Sequence, residues 1–196
     1  MPAGTCEFEA GARSGRGSTE FVIQPACNVG GVAEVAVPLS ASRSPGEPAS
    51  RSLAIESKYV GRSVEPGNWG WGIAGGLAAD VTSRPRAAGG FARLIASLAP
   101  TDRWAVHLNA GVSRARADPT RPTWALALEH GASEAVTLGI ETYGERGSRP
   151  FLQVGMQVRL AERVALDVSA GGQRGSASAA RFVSLGLTLS GIPRGR

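Results

Sequence analysis

From Phe151 to Gly171 the chain alternates with a period of two, once on each side of a two-residue break. Leu152, Val154, Met156, Val158 and Leu160 fall on one side, with Phe151, Gln153, Gly155, Gln157 and Arg159 between them. After Ala161-Glu162 the pattern resumes, with Val164, Leu166, Val168 and Ala170 opposing Ala165, Asp167, Ser169 and Gly171. A period of two is the signature of a strand with one apolar and one polar face, and two such runs across a minimal turn form a β-hairpin. The runs are about ten residues each, near the ~9–11 tilted residues that cross the hydrocarbon of a membrane and longer than the ~5–6 typical of globular strands. The hairpin therefore reads as wall of a transmembrane β-barrel, and the rest of the chain should repeat it.

Composition supports this reading and removes others. No stretch of 18 or more apolar residues exists, which excludes a transmembrane helix but not barrel strands, whose alternating polar residues bring mean hydropathy near zero. Mean hydropathy is −0.04, with 27 Gly. A net charge of +5 would suit nucleic acid, but the arginines are dispersed singly and no basic helix or aromatic-plus-basic motif gathers them, so no nucleic-acid partner is expected. No GxSxG, HExxH, P-loop or CxxC motif is present, so no enzyme chemistry, metal or cofactor is expected. Met1–Thr5 lacks the charged start and apolar core of a signal peptide, so an outer-membrane location requires a leader removed or encoded upstream.

Twelve alternating segments can be traced, at 6–13, 19–27, 30–39, 51–60, 68–80, 87–98, 103–113, 122–131, 134–143, 150–160, 163–171 and 181–190. Connections after odd segments are rich in Gly, Pro, Ser and Arg, as at Ser40–Ser50 and Arg114–Arg121. Those after even segments are mostly tight, as at Ala132-Ser133 and Ala161-Glu162, with Gly61–Gly67 the exception. An even strand count with long loops at one end and short turns at the other is the pattern of bacterial outer-membrane barrels. The expected fold is all-β: a closed antiparallel up-and-down transmembrane β-barrel of about 12 strands, with short periplasmic turns and longer extracellular loops. A single domain of 1–196 is expected, with barrel over 5–191 and a tail at 192–196.

The alternation assigns faces. Phe21, Ile23, Ile55, Ile73, Leu77, Leu94, Leu108, Leu126, Leu138 and Ile140 are expected outward, with Trp69, Trp71, Trp104 and Trp124 at strand ends where aromatic girdles belong. The expected inner, pathway-lining set is Glu34, Glu56, Lys58, Asp80, Arg93, His107, Asn109, Glu129, Glu141, Gln153, Gln157, Arg159 and Asp167. Charges of both signs on one face of nearly every strand would be costly in a dry sandwich core, whereas in a barrel they pair across the lumen or meet water. Such residues either line a pore and set what passes, or form a salt-bridged plug. Twelve strands sit between filled and open barrels, so geometry leaves both readings standing. His107 and Asn109 invite comparison with an outer-membrane lipase, but that chemistry needs a serine beside His107 on the lipid-facing side, and both residues are expected to point inward.

If the first hairpin turns about Gly15–Gly17, paired positions sum to about 33, which sets Cys6 opposite Cys27 on one side of the sheet. An oxidising periplasm would favour a disulfide there, and two free thiols are the alternative. At the outer rim, Arg16, Arg43, Arg51, Arg84, Arg86, Arg114, Arg116, Arg146, Arg149 and Arg174 would gather. Guanidinium groups suit phosphate, so lipopolysaccharide at this rim is an expected partner beside outer-membrane lipids and a small-molecule substrate. Solvated loop charge is the other reading.

The phrases KYVGRSVEPGNWGWGIAGGLAAD, DRWAVHLNAGV, ALEHGASEAVTLGIETYGERG and RPFLQVGMQVRLAERVALDVSAG resemble the outer-membrane barrels grouped under the meta-pathway of phenol degradation, often called transporters. Met1–Ala12 is similar to the opening of a mature barrel of that family. The resemblance implies a channel or transporter for small molecules, aromatic or hydrophobic ones among them, in the outer membrane of a Gram-negative bacterium. The chain departs from the pattern at its end, running to Ile192-Pro193-Arg194-Gly195-Arg196 rather than closing on an aromatic. Two other functions fit the same alternation: a structural or adhesive barrel with a plugged lumen, and a soluble β-barrel that binds a small ligand. The sequence sets no oligomeric state.

Overall fold

The computed structural model describes residues 3–15, 17–116, 118–173 and 181–193, without the side chain of Pro193. Within these residues every regular element is a strand: β1 (Thr5–Gly15), β2 (Ser18–Val29), β3 (Ala33–Ala36), β4 (Leu39–Arg43), β5 (Ser50–Arg62), β6 (Asn68–Asp80) and β7 (Arg86–Ala99). They continue with β8 (Trp104–Ala115), β9 (Arg121–Gly131), β10 (Val136–Glu145), β11 (Phe151–Ala161), β12 (Val164–Gln173) and β13 (Arg181–Pro193). All pairings are antiparallel, sequence neighbours pair in turn, and β1 pairs with both β2 and β13, so the sheet closes on itself. Segments β3 and β4 both lie between β2 and β5, as two halves of one wall strand, which makes a barrel of 12 strands.

The third wall strand is where the sequence reading needs correcting. It was expected at 30–39, yet it begins at Ala33 and reaches Arg43 with a break at Val37-Pro38. Gly30 and Gly31 take φ of 73° and 88°, and Gly31 N–H donates to Asn28 Oδ1 at 2.8 Å, so both glycines belong to the turn. Pro38 has no N–H to give to the ladder and interrupts it. The break is bridged from both sides, by Val37 N–H to the Pro25 carbonyl (3.0 Å) and Ala54 N–H to the Pro38 carbonyl (2.8 Å). At the opposite end of the barrel β1, β8, β10 and β12 each run two residues further than expected, to Gly15, Ala115, Glu145 and Gln173. The last strand includes Ile192, paired with Cys6, so the barrel extends beyond the expected limit of 191; residues 194–196 of the expected tail lie outside the described residues.

Among the described residues no large side chain is fully buried, while Leu77 (69%), Leu94 (63%), Phe21 (59%) and Val154 (51%) stand out from the wall. This is the inverse of a globular protein and is what a bilayer-facing belt requires. Trp69, Trp71 and Trp104 lie near one end of the belt and Trp124 near the other; Trp104 stacks on His130 with ring centroids 4.2 Å apart. No helix among the described residues is long and apolar enough to cross a membrane.

Candidate functional site: the charged lumen

The polar half of each strand's alternation faces the interior, and closure brings residues from distant parts of the chain onto one surface. Two cavities occupy it in series, of about 760 Å³ and about 550 Å³. Four residues line both: Arg13 on β1, Asn109 on β8, Glu141 on β10 and Gln153 on β11. They mark a waist between an inner chamber towards the tight turns and an outer chamber towards the longer loops. Glu141 shares the waist with Arg13 and the outer chamber with Arg93 on β7, so one carboxylate lies in the same lumen as cations from two other walls, without an ion pair to either.

The outer chamber is aromatic. Tyr143 and Phe151 stack at 5.3 Å with their planes 7° apart, and Phe91 lies across the chamber from them. The Arg93 guanidinium sits over the Phe91 ring at 4.3 Å, and Arg13 sits over Phe182 at the same distance. Cation–π contact of this kind contributes about 0.5–1 kcal/mol at a wet site and holds a flexible guanidinium in one orientation.

The inner chamber is polar and predominantly acidic. His107 Nδ1 is hydrogen-bonded to the Ser97 hydroxyl at 2.8 Å, and its Nε2 lies 3.7 Å from Glu129. Gln157 donates to Asp167 at 2.9 Å, Gln24 donates to Glu9 at 3.3 Å, and Ser169 is hydrogen-bonded to Ser184. Lys58 pairs with Glu34 at 2.7 Å. Glu56 lies over the bare inward face of Gly76, where an added Cβ would come within 2.9 Å of its Cγ. Arg159 shares the inward face of β11 with Gln153 and Gln157, close to the tight-turn end.

Closure thus brings together His107, Asn109, Glu129, Glu141, Gln153, Gln157 and Asp167 from the expected set, with Arg93 at the outer chamber. Asp80 is placed elsewhere: it accepts from Arg86 at 3.1 Å and from Thr82 N–H at 2.9 Å, which fixes the outer 81–85 connection. Cys6 and Cys27 are joined in a disulfide, as register partners in the first hairpin. Of the expected rim arginines Arg86 pairs with Asp80 at 3.1 Å, and Arg16 and Arg174 lie outside the described residues; Arg121, not in that set, pairs with Glu145 at 2.9 Å. Sequence reasoning missed Arg13, Phe91, Tyr143, Phe182 and Ser97. Their signal was parity: each shares the inward face of its strand.

The serine that a lipase would need is present, but the pair it forms with His107 lies on the lumen wall, not on the lipid-facing side. There, the strand N–H groups are committed to the ladder, so no backbone donors are free to stabilise an oxyanion. Among the described residues no group of three or more His, Cys, Asp or Glu side chains is arranged to hold a metal ion.

A closed antiparallel wall, apolar outside and charged within, defines a transmembrane β-barrel of the outer-membrane type. The chain belongs to the family described as "Uncharacterised conserved protein UCP029691", whose model matches residues 1–190. This match does not confirm the phenol meta-pathway grouping that the sequence resembles. No curated protein matches the chain. Among solved structures it is similar to the KdgM porin, at TM-score 0.75 and 12% identity, covering 94% of this chain and 99% of that one. It is also similar to the COG4313 outer membrane channel from Pseudomonas putida F1, at TM-score 0.70 and 10% identity, with 97% of each chain covered. Outer membrane phospholipase A from Escherichia coli is less similar, at TM-score 0.54 and 10% identity, covering 96% and 93%. At such identities the likeness is one of fold.

Proposed function

We propose that the protein is a passive channel for small molecules in the outer membrane of a Gram-negative bacterium, with the charged waist controlling passage. The observation that carries this reading is the pair of chambers in series, joined at Arg13, Asn109, Glu141 and Gln153. The porin and channel folds it resembles support the same reading. Aromatic or hydrophobic solutes, which the phenol meta-pathway resemblance implies, are supported by the stacked Tyr143 and Phe151 and by Phe91 in the outer chamber. The inner wall carries Glu7, Glu9, Glu34, Glu129 and Asp167 against Lys58 and Arg159, so permeant cations are favoured over anions.

Recording from planar bilayers tests this. Stepwise openings with a reversal potential on the cation side are expected, and Arg13→Ala should raise the conductance by removing one arm of the waist. Glu141→Gln should shift the reversal potential towards anions. A second reading, a plugged barrel with a structural or adhesive role, is favoured by the long Arg13, Glu141 and Gln153 side chains that share the waist. It predicts a silent bilayer for both wild type and Arg13→Ala, and that outcome would refute the channel.

A further inference from the structure

On the outside of the barrel, β6 and β7 carry Gly75, Gly90 and Ala92 side by side, flanked by larger side chains. Register sets Leu77, Gly90 and Arg114 in one row across β6, β7 and β8, and Gly75, Ala92 and Val112 in the next row towards the membrane centre. Leu77 and Leu94 project beside this patch, at 69% and 63% exposure, and leave a trough of about 450 Å³. Gly90 and Ala92 line the trough with Leu77 and Val112, and Arg114 and Arg116 line its outer end. The floor at Gly90 has no room for a side chain: a Cβ there would stand 2.9 Å from Leu77 Cδ2 and 2.9 Å from the Gly76 carbonyl oxygen.

Arg114 is unusual because it occupies a lipid-facing position one residue before β8 ends. Such a charge costs about 2–4 kcal/mol at the bilayer midplane and about 0–1 near the interface, so it belongs at headgroup level. Among the described residues neither Arg114 nor Arg116 makes an ion pair, whereas neighbouring Arg86 is engaged with Asp80 at 3.1 Å. An apolar trough at acyl-chain depth, capped by two guanidinium groups at headgroup depth, matches an amphiphile with a chain below and an anion above. Planar guanidinium holds phosphate through paired hydrogen bonds, and phosphate is the anion that outer-leaflet glycolipid presents at this depth.

We propose that this trough is a binding site for a phosphorylated glycolipid of the outer leaflet, one acyl chain lying over Gly90 and Ala92 and a phosphate held by Arg114 and Arg116. The proposal rests on the reading of the chain as an outer-membrane barrel with the 116–120 connection outside. It is independent of whether the lumen conducts.

The full chain in non-ionic detergent is mixed with lipid A carrying its phosphates, with the same lipid A after phosphate removal, or with phosphatidylethanolamine, and retention is read by native mass spectrometry. Preferential retention of phosphorylated lipid A is expected. Arg114→Ala combined with Arg116→Ala should weaken it about tenfold or more, the scale of losing a charge-assisted hydrogen bond. Ala92→Leu, which fills the trough without touching charge, should also weaken it, while Arg43→Ala elsewhere on the rim should not. Equal retention of the dephosphorylated lipid or of phosphatidylethanolamine would overturn the site, as would an equal loss with Arg43→Ala. Heat-modifiable migration on a detergent gel verifies that each variant is folded, and the arginine pair, exposed at the strand end, carries the test if Ala92→Leu does not fold. A barrel that is heat-modifiable but shows no preference loses only this site; a wild-type chain that is soluble without detergent and not heat-modifiable loses the membrane reading itself.

Discussion

Two adjacent residues on β11 face opposite surroundings. Val154 stands outward with half its surface exposed, while Gln153 lines the waist between the chambers. The same substitution should therefore have very different effects at the two positions. Val154→Arg places a cation on the lipid face of a central strand position and should destabilise the folded barrel by about 2–4 kcal/mol. Gln153→Arg adds a charge to a wet lumen beside Glu141 and should change stability by less than about 1 kcal/mol. Reversible denaturant unfolding in lipid vesicles measures both. A larger cost at Gln153 than at Val154 would mean that the faces are exchanged. The side chains that the expected lumen set left out belong to this scale too: Phe91 and Phe182 point inward as platforms for Arg93 and Arg13, and Tyr143 stacks on Phe151.

At the scale of the element, the first hairpin carries the covalent link. Cys6 and Cys27 are separated by 21 positions, and closing a loop of that length limits the unfolded chain by about 3 kcal/mol in the chain-entropy model. Reduction, or Cys6→Ser with Cys27→Ser, should accordingly lower the thermal midpoint in detergent without changing the barrel's β-sheet signal. An unchanged midpoint would show that barrel closure alone already confines these strands. The pairing was legible from arithmetic on Gly15–Gly17 because an antiparallel register, once its turn is located, fixes every partner in both strands. The third wall strand was not legible in the same way. Alternation through Val35, Val37 and Leu39 continues past Pro38, and no feature of periodicity says that a ladder can be bridged by Val37 N–H and Ala54 N–H on either side of a proline.

For the whole molecule, alternation was enough to give closure, strand number and sidedness, since a sheet with one oily and one charged face can satisfy both only by curling around its charges. What it could not give was the separation of the lumen into chambers. That depends on how far Arg13 and Arg93 reach across the barrel towards Glu141, and therefore on diameter and strand tilt rather than on sequence spacing. The central claim is that water fills the inside and lipid covers the outside. It is tested most directly by introducing single cysteines on one strand, Gln153→Cys and Val154→Cys, with the Cys6–Cys27 disulfide kept oxidised, and exposing the protein in liposomes to a charged, water-soluble thiol reagent. The account predicts rapid modification at position 153 and protection at 154; protection at 153 with modification at 154 would contradict it.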